Sequence, residues 1–246
     1  MTDSDGELST PGKAKEDALT IVQIFRHPDY RTAAIAVIMV MLAQQLSGRH
    51  CSTYSYRNET DHPPGINSIV MYGVSLLAGL LESNSALLNL AVSAINIIVT
   101  AGCAPLVDKL GRKTCLLQSL AGMGTSSLLL AIGIIRQIPI LSAIAVLLFV
   151  SSFALGLGPV PFILSAELVG PEAVGATQSI ALAANWIATF AVAQFFPLAS
   201  EKLHGNVYFI FAALSAFFFV FIGWYVPETK GKKNADEVWG RVRRVD

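Results

Sequence analysis

The chain has 246 residues and carries 17 Lys and Arg against 17 Asp and Glu, so its formal net charge is +0. Only 14% of residues are charged and 53% are hydrophobic, with a mean hydropathy of +0.57; ordinary soluble domains carry about 25% charged residues. The balance argues against a basic nucleic-acid-binding surface, and no nucleic acid is expected as a partner.

Residues 1–20 are rich in Thr, Ser, Asp, Glu, Lys and Gly and read as a disordered leader. The stretch 20–31, TIVQIFRHPDYR, predicts a short amphipathic helix that ends near Pro28 and lies at a membrane surface. Together, 1–31 form a leader and linker with no apolar run fit for a cleavable signal peptide.

From residue 32 to 48 no Asp, Glu, Lys or Arg occurs, and the pattern is that of a membrane helix. It is interrupted by the polar, charged segment 49–65, RHCSTYSYRNETDHPPG, after which the apolar pattern resumes over 66–81. Removing 49–65 leaves one continuous span. Uncharged stretches then follow at 83–107, 114–135, 137–166, 173–200 and 205–227. Each is long enough to cross a hydrocarbon core of ~30 Å at about 1.5 Å per residue.

These segments predict an all-α membrane protein with six spans: the interrupted one, then 84–107, 114–135, 138–166, 175–199 and 206–226. The membrane domain thus runs over 32–226, followed by a tail at 227–246. With the N-terminus in the cytosol, 13 of the 17 Lys and Arg fall on the cytosolic side, in keeping with the positive-inside rule. An even number of spans keeps both basic termini there.

Segment 49–65 would not remain in the bilayer. Arg49, Arg57 and Asp61 would each cost about 2.5–3.5 kcal/mol at a helix centre, and Glu59 adds a fourth charge. Its seventeen codons preserve the reading frame, and the glycines at its borders are compatible with splice-site codons. A retained intron is therefore one expectation. The other is a genuine external loop with a glycosylation acceptor at Asn58, in Asn58-Glu59-Thr60.

Gln44, Gln45, Asn67 and Asn96 are carboxamides inside apolar spans, where polar groups are costly and usually serve a purpose. Either interhelical hydrogen bonds or ligand recognition would account for them. Asn67 lies five positions after Gln45 once 49–65 is removed. Trp186, mid-span, can pack against neighbours or stack on an apolar ligand face. Gly156, Gly158, Pro159 and Pro161 predict a break in the 138–166 helix. Cys51, Cys103 and Cys115 form no pattern, and no metal site, nucleophile–base pair or phosphate loop is visible. Neither a cofactor nor an enzymatic activity is expected.

Several markers occur together: IVQIFRHPDYR, Gln44-Gln45-Leu46-Ser47-Gly48 with Ile66-Asn67, Asp108-Lys109-Leu110-Gly111-Arg112-Lys113, Gly158-Pro159-Val160-Pro161-Phe162, Ala166-Glu167-Leu168, Asn185-Trp186 and Pro227-Glu228-Thr229-Lys230-Gly231. In this order and spacing the chain resembles the carboxyl-terminal six-helix half of a sugar porter of the major facilitator superfamily, of fungal type.

The resemblance implies alternating-access transport of a small neutral carbohydrate across a lipid bilayer, in the plasma or vacuolar membrane. The partner half of six helices would lie outside this chain. It implies sugar contacts at Gln44, Gln45, Asn67, Asn96, Trp186 and Phe162, gating at Tyr72, Gly158, Pro159 and Pro161, and a cytosolic salt-bridge latch of Asp108, Arg112 and Glu167. Three departures bear on this. Phe162 stands where many glucose porters carry tryptophan, Ala154 where many carry glutamate, and Val174 where arginine is frequent. Other expectations stay open: a truncated product that transports nothing, or a membrane sensor or trafficking protein on the same fold.

Overall fold

Pro28 divides the first helical stretch in two. In the computed structural model, which describes residues 20–47, 94, 97–99, 101–102, 105, 107–136, 138–232 and 234–240, α1 (Ile21–Arg26) ends at His27. His27 adopts φ −89° and ψ 122°, the extended conformation that a following proline enforces. Pro28 then opens α2 (Pro28–Leu46) at its first position, where its missing N–H costs nothing. At the other end of α1, Thr20 N donates to Gln23 Oε1 at 2.7 Å. The expected surface helix is corrected in one respect. Ile24 is fully buried, and α1 packs on α2 rather than resting only on a membrane.

Along α2 the buried side chains include Ala33, Ala34, Ala36 and Ala43; such small residues let helix backbones approach closely where no water-driven force joins them. Next come α3 (Arg112–Ile135), α4 (Pro139–Leu155), α5 (Val160–Glu167) and α6 (Pro171–Leu203). A 3-10 turn over His204–Asn206 leads into α7 (Val207–Tyr225), and the tail adds the short α8 (Ala235–Val238). All regular elements among the described residues are helical.

Among the described residues, four segments are long and apolar enough to cross a membrane: Arg112–Ile135, Ile140–Glu167, Pro171–Phe196 and Val207–Tyr225. They coincide with the expected spans 114–135, 138–166, 175–199 and 206–226. The second spans both α4 and α5. The expected span 84–107 and residues 49–65 and 66–81 lie largely or wholly outside the described residues, as does the leader. At about 1.5 Å per residue, the 33-residue α6 is about 50 Å long, so it exceeds a hydrocarbon core.

In the packed arrangement α3 lies against α4 and α7, while α2 lies against α6 and α7. Glycines set the α3–α4 spacing. A methyl group on Gly122 would lie 2.3 Å from Ser152 Oγ, and one on Gly133 would lie 2.6 Å from Ser142 Oγ. One core gathers Met41, Leu116, Leu120, Leu164, Leu168 and Ile222. A second, smaller one gathers Leu130, Val146, Phe196, Tyr208 and Phe211. Outward-facing residues are apolar as well: Ile144, Phe190, Phe217, Val220 and Trp224 are all exposed. That is the inside-and-out apolarity of a helix bundle solvated by lipid.

Candidate functional site

The interruption between α4 and α5 creates a polar problem that neighbouring helices solve. An α-helical carbonyl at residue 157 requires the N–H of residue 161, and Pro161 has none. Around the break, Gly158 N donates to Phe153 O at 2.9 Å and Val160 N to Gly156 O at 3.0 Å. Buried at membrane depth, the Leu157 carbonyl must find a donor elsewhere. Gln44 supplies it: Nε2 donates to Leu157 O at 2.7 Å and, less closely, to Gly158 O at 3.3 Å.

That contact orients everything beyond it. A carbonyl only accepts, so the Gln44 amide turns its NH2 toward Leu157 and its Oε1 away. Asn185 Nδ2 donates to that oxygen at 2.9 Å and also reaches Met41 O at 3.3 Å. Asn185 Oδ1 in turn accepts from Gln45 Nε2 at 2.9 Å. Gln44, Gln45 and Asn185 are all buried. The relay therefore runs in one direction, from Gln45 through Asn185 and Gln44 to the backbone of the break. Its open end is Gln45 Oε1, a buried acceptor without a hydrogen-bond partner among the described residues.

Gln44 and Gln45, named from the sequence, are thus brought together. The residue that joins them is Asn185, visible beforehand only as the neighbour of Trp186. Trp186 itself is 65% exposed and Phe162 41% exposed, so neither side chain is enclosed with the relay. Gly158 and Pro159 occupy the break between α4 and α5, and Pro161 sits in the first turn of α5, as their backbone chemistry predicts. Asn67, Asn96, Tyr72 and Asn58 lie outside the described residues.

A second polar cluster sits where α3 begins and α5 ends. Arg112 Nε donates to Glu167 Oε1 at 3.1 Å, and its Nη1 lies 3.2 Å from Asp108 Oδ1. The tail joins it: Thr229 Oγ1 donates to Glu167 Oε2, and the Glu228 carboxylate accepts from Arg112 N at 2.9 Å. The same oxygen accepts from Thr229 N at 3.1 Å and Lys230 N at 3.2 Å, while Lys230 Nζ donates to Lys109 O.

Glu228 is therefore the N-terminal cap of α3, where an anion meets the unpaired N–H groups and the positive end of the helix dipole. Gly111 makes room for it. Its φ is +99°, and a methyl group there would lie 2.6 Å from Glu228 Oε2. The expected set of Asp108, Arg112 and Glu167 is assembled, and Glu228 and Thr229 extend it. Their signal in the sequence was the run Pro227-Glu228-Thr229-Lys230-Gly231. Beside the cluster, a cavity of about 680 Å³ is lined by Tyr30, Glu167, Glu172, Thr229 and Lys232, with Tyr30 Oη donating to Glu172 Oε1 at 2.6 Å. Its lining does not include the side chains of the amide relay, which are buried.

A family model described as sugar (and other) transporter matches residues 61–239, well over half of the chain. The chain belongs to the sugar porter family of the major facilitator superfamily. A probable metabolite transport protein of Saccharomyces cerevisiae is 34% identical over 238 residues, covering 96% of this chain and 45% of the relative. The rat solute carrier family 2, facilitated glucose transporter member 2, is 31% identical, with 97% of this chain and 44% of the relative covered.

Among solved structures, the inward-open xylose transporter XylE from E. coli superposes with a TM-score of 0.67 at 26% identity. That superposition covers 86% of this chain and 42% of XylE. A double-tryptophan mutant of XylE gives 0.69 at 24% identity, covering 89% of this chain and 47% of the mutant's. The chain spans about half the length of the curated relatives it matches. Within this sugar porter fold, the relay lies between α2, α6 and the α4–α5 break, whereas the charged cluster ties the start of α3 to the tail.

Proposed function

We propose that the chain acts as the carboxyl-terminal half of a sugar transporter, working by alternating access without covalent chemistry. Its substrate class is a small neutral polyhydroxylated solute. The observation that carries this reading is the amide relay ending in Gln45 Oε1, a buried acceptor without a hydrogen-bond partner among the described residues. A buried acceptor without a donor is unfavourable by about 1–3 kcal/mol, and a sugar hydroxyl is a donor of the right size and neutrality. The names of the relatives support the substrate class; Ala154 and Phe162 leave the particular sugar open.

Coverage of less than half of each relative favours a transport unit that includes a second six-helix half. The outward apolar side chains Trp186, Ile187 and Phe190 of α6 would face either that half or lipid. We further propose that both termini are cytosolic and that 49–65 is a retained intron or an inserted external loop. Transcript reads across these codons distinguish the two.

The experiment is uptake of radiolabelled glucose and xylose by a transporter-null yeast. The chain would be expressed alone and together with the amino-terminal half of the yeast relative. Uptake is expected only with both halves, and only while Gln45 is intact. Uptake by the pair that is unchanged in a Gln45→Leu variant would overturn the assignment of this site. Absence of uptake by a well-inserted pair, with neither sugar bound, would overturn the transport reading.

A further inference from the structure

Leu157 is held from both sides by side chains of different helices. Its carbonyl accepts from Gln44 on α2, as described above. Its N–H does not use the usual helical acceptor, Phe153 O, which accepts from Gly158 N at 2.9 Å. Leu157 N instead donates to Ser119 Oγ on α3 at 3.2 Å. The same hydroxyl donates to Ser152 O, in the last turn of α4, at 2.7 Å. One side chain thus supplies both an acceptor to the far lip of the break and a donor to the near lip. Ser119 and Leu157 are both fully buried. The backbone comes this close because Gly156 has no side chain: a methyl group there would lie 2.3 Å from Cys115 O and 2.9 Å from Ser119 Cβ.

We infer that Ser119 is a positioning residue for the break, fixing the angle between α4 and α5 so that Leu157 O meets Gln44. Two hydrogen bonds from one buried hydroxyl define a rest geometry that glycines and prolines alone would leave loose. Because Gln44 orients Asn185 and, through it, Gln45, the polarity of the recognition amides depends on the peptide that Ser119 holds. A group that drew the Gln44 amide away would leave Leu157 clamped on one side only. The angle of α5 and the state of the relay are in this way mechanically linked. The inference rests on the fold and holds whichever solute the protein carries.

Hydrogen exchange of the full chain in lipid nanodiscs tests it, read on peptides spanning 153–160, with 120–135 and 207–225 as internal controls. Ser119→Ala should speed exchange at 153–160 by about tenfold, the effect of one lost hydrogen bond, and leave the controls unchanged. Ser119→Cys keeps the volume but bonds only weakly, so it should exchange as fast as the alanine variant. It also serves where the alanine variant does not fold.

Exchange at 153–160 within about twofold of wild type in the cysteine variant would show that Ser119 only fills space, and would overturn the inference. An equal acceleration across all three peptides would overturn it too, since the residue would then support the bundle rather than the break. Gln44→Leu should loosen 153–160 to a similar degree.

Discussion

Asn185 Nδ2 donates to Gln44 Oε1 at 2.9 Å, joining two helices across 141 residues of sequence. With its other atom bonded to Gln45, Asn185 is the central link of the relay. Asn185→Leu would leave Gln45 Nε2 and Gln44 Oε1 without their main partners. Orphaned buried amides are unfavourable by about 1–3 kcal/mol, less where the membrane-embedded reference state finds other partners. A clearly lowered unfolding temperature in detergent is expected. A variant as stable as wild type would show that the relay does not hold these helices.

A variant at Gln45 separates stability from the proposed recognition role. Among the described residues, Gln45→Leu orphans only Asn185 Oδ1 and at the same time removes Oε1, which has no partner there. Its stability loss should therefore be the smaller of the two variants, about 1 kcal/mol or less. Sugar-dependent thermal stabilisation of the assembled transporter, by contrast, should vanish. Retained stabilisation by glucose and xylose would place the ligand elsewhere.

Gly111 is constrained twice over, by φ +99° and by the Glu228 carboxylate against its Cα. Gly111→Ala forces a side chain into a backbone region where a non-glycine residue is strained by about 1–3 kcal/mol. Pairing it with Glu228→Ala removes the collision but not the strain. The double variant should remain well below Glu228→Ala alone in thermal stability; equality with that single variant would mean that the collision alone matters.

Glu228→Ala by itself removes a helix cap. Loss of the acceptor for Arg112 N should destabilise the start of α3 by about 0.5–2 kcal/mol, the range for cap removal. Exchange of the amides at 112–115 should quicken first, and unaltered rates there would remove Glu228 from the capping role. Glu228→Gln keeps an acceptor oxygen and should retain part of the protection.

Gly156→Ala offers a steric check on the break. The obstructing atoms are the carbonyl carbon and oxygen of Cys115, and backbone cannot rotate away as a side chain tip can. Overpacking of about 1–3 kcal/mol is expected, read as a fall in unfolding temperature. An unaffected variant would indicate that α4 and α3 lie farther apart than described.

Much of the bundle was legible because hydrocarbon imposes simple rules. Stretches without charge between Arg112 and Tyr225 mark helices, since length and apolarity alone decide insertion. The break was legible at Pro159 and Pro161 because a missing N–H is written in the residue type. Tertiary pairing was less so. Asn185 resembles any polar residue in a span until its distance to Gln44 and Gln45 is known, and Ser119 resembles a small packing residue. Glu228 becomes a cap only once Gly111 takes a positive φ. Pro28 starts a helix where the sequence suggests the end of one, because a proline signals a boundary without saying which side is helical. For Asn67, Asn96 and Tyr72, which lie outside the described residues, the sequence expectation stands by itself.

The tail's hold on α3 also instructs anyone who re-engineers the protein. Glu228, Thr229 and Lys230 tie the tail to the start of α3, so any alteration of this end should leave those three residues in place. Trimming the chain at Val226, which looks harmless because every apolar span survives, would strip the keystone from a helix more than a hundred positions upstream.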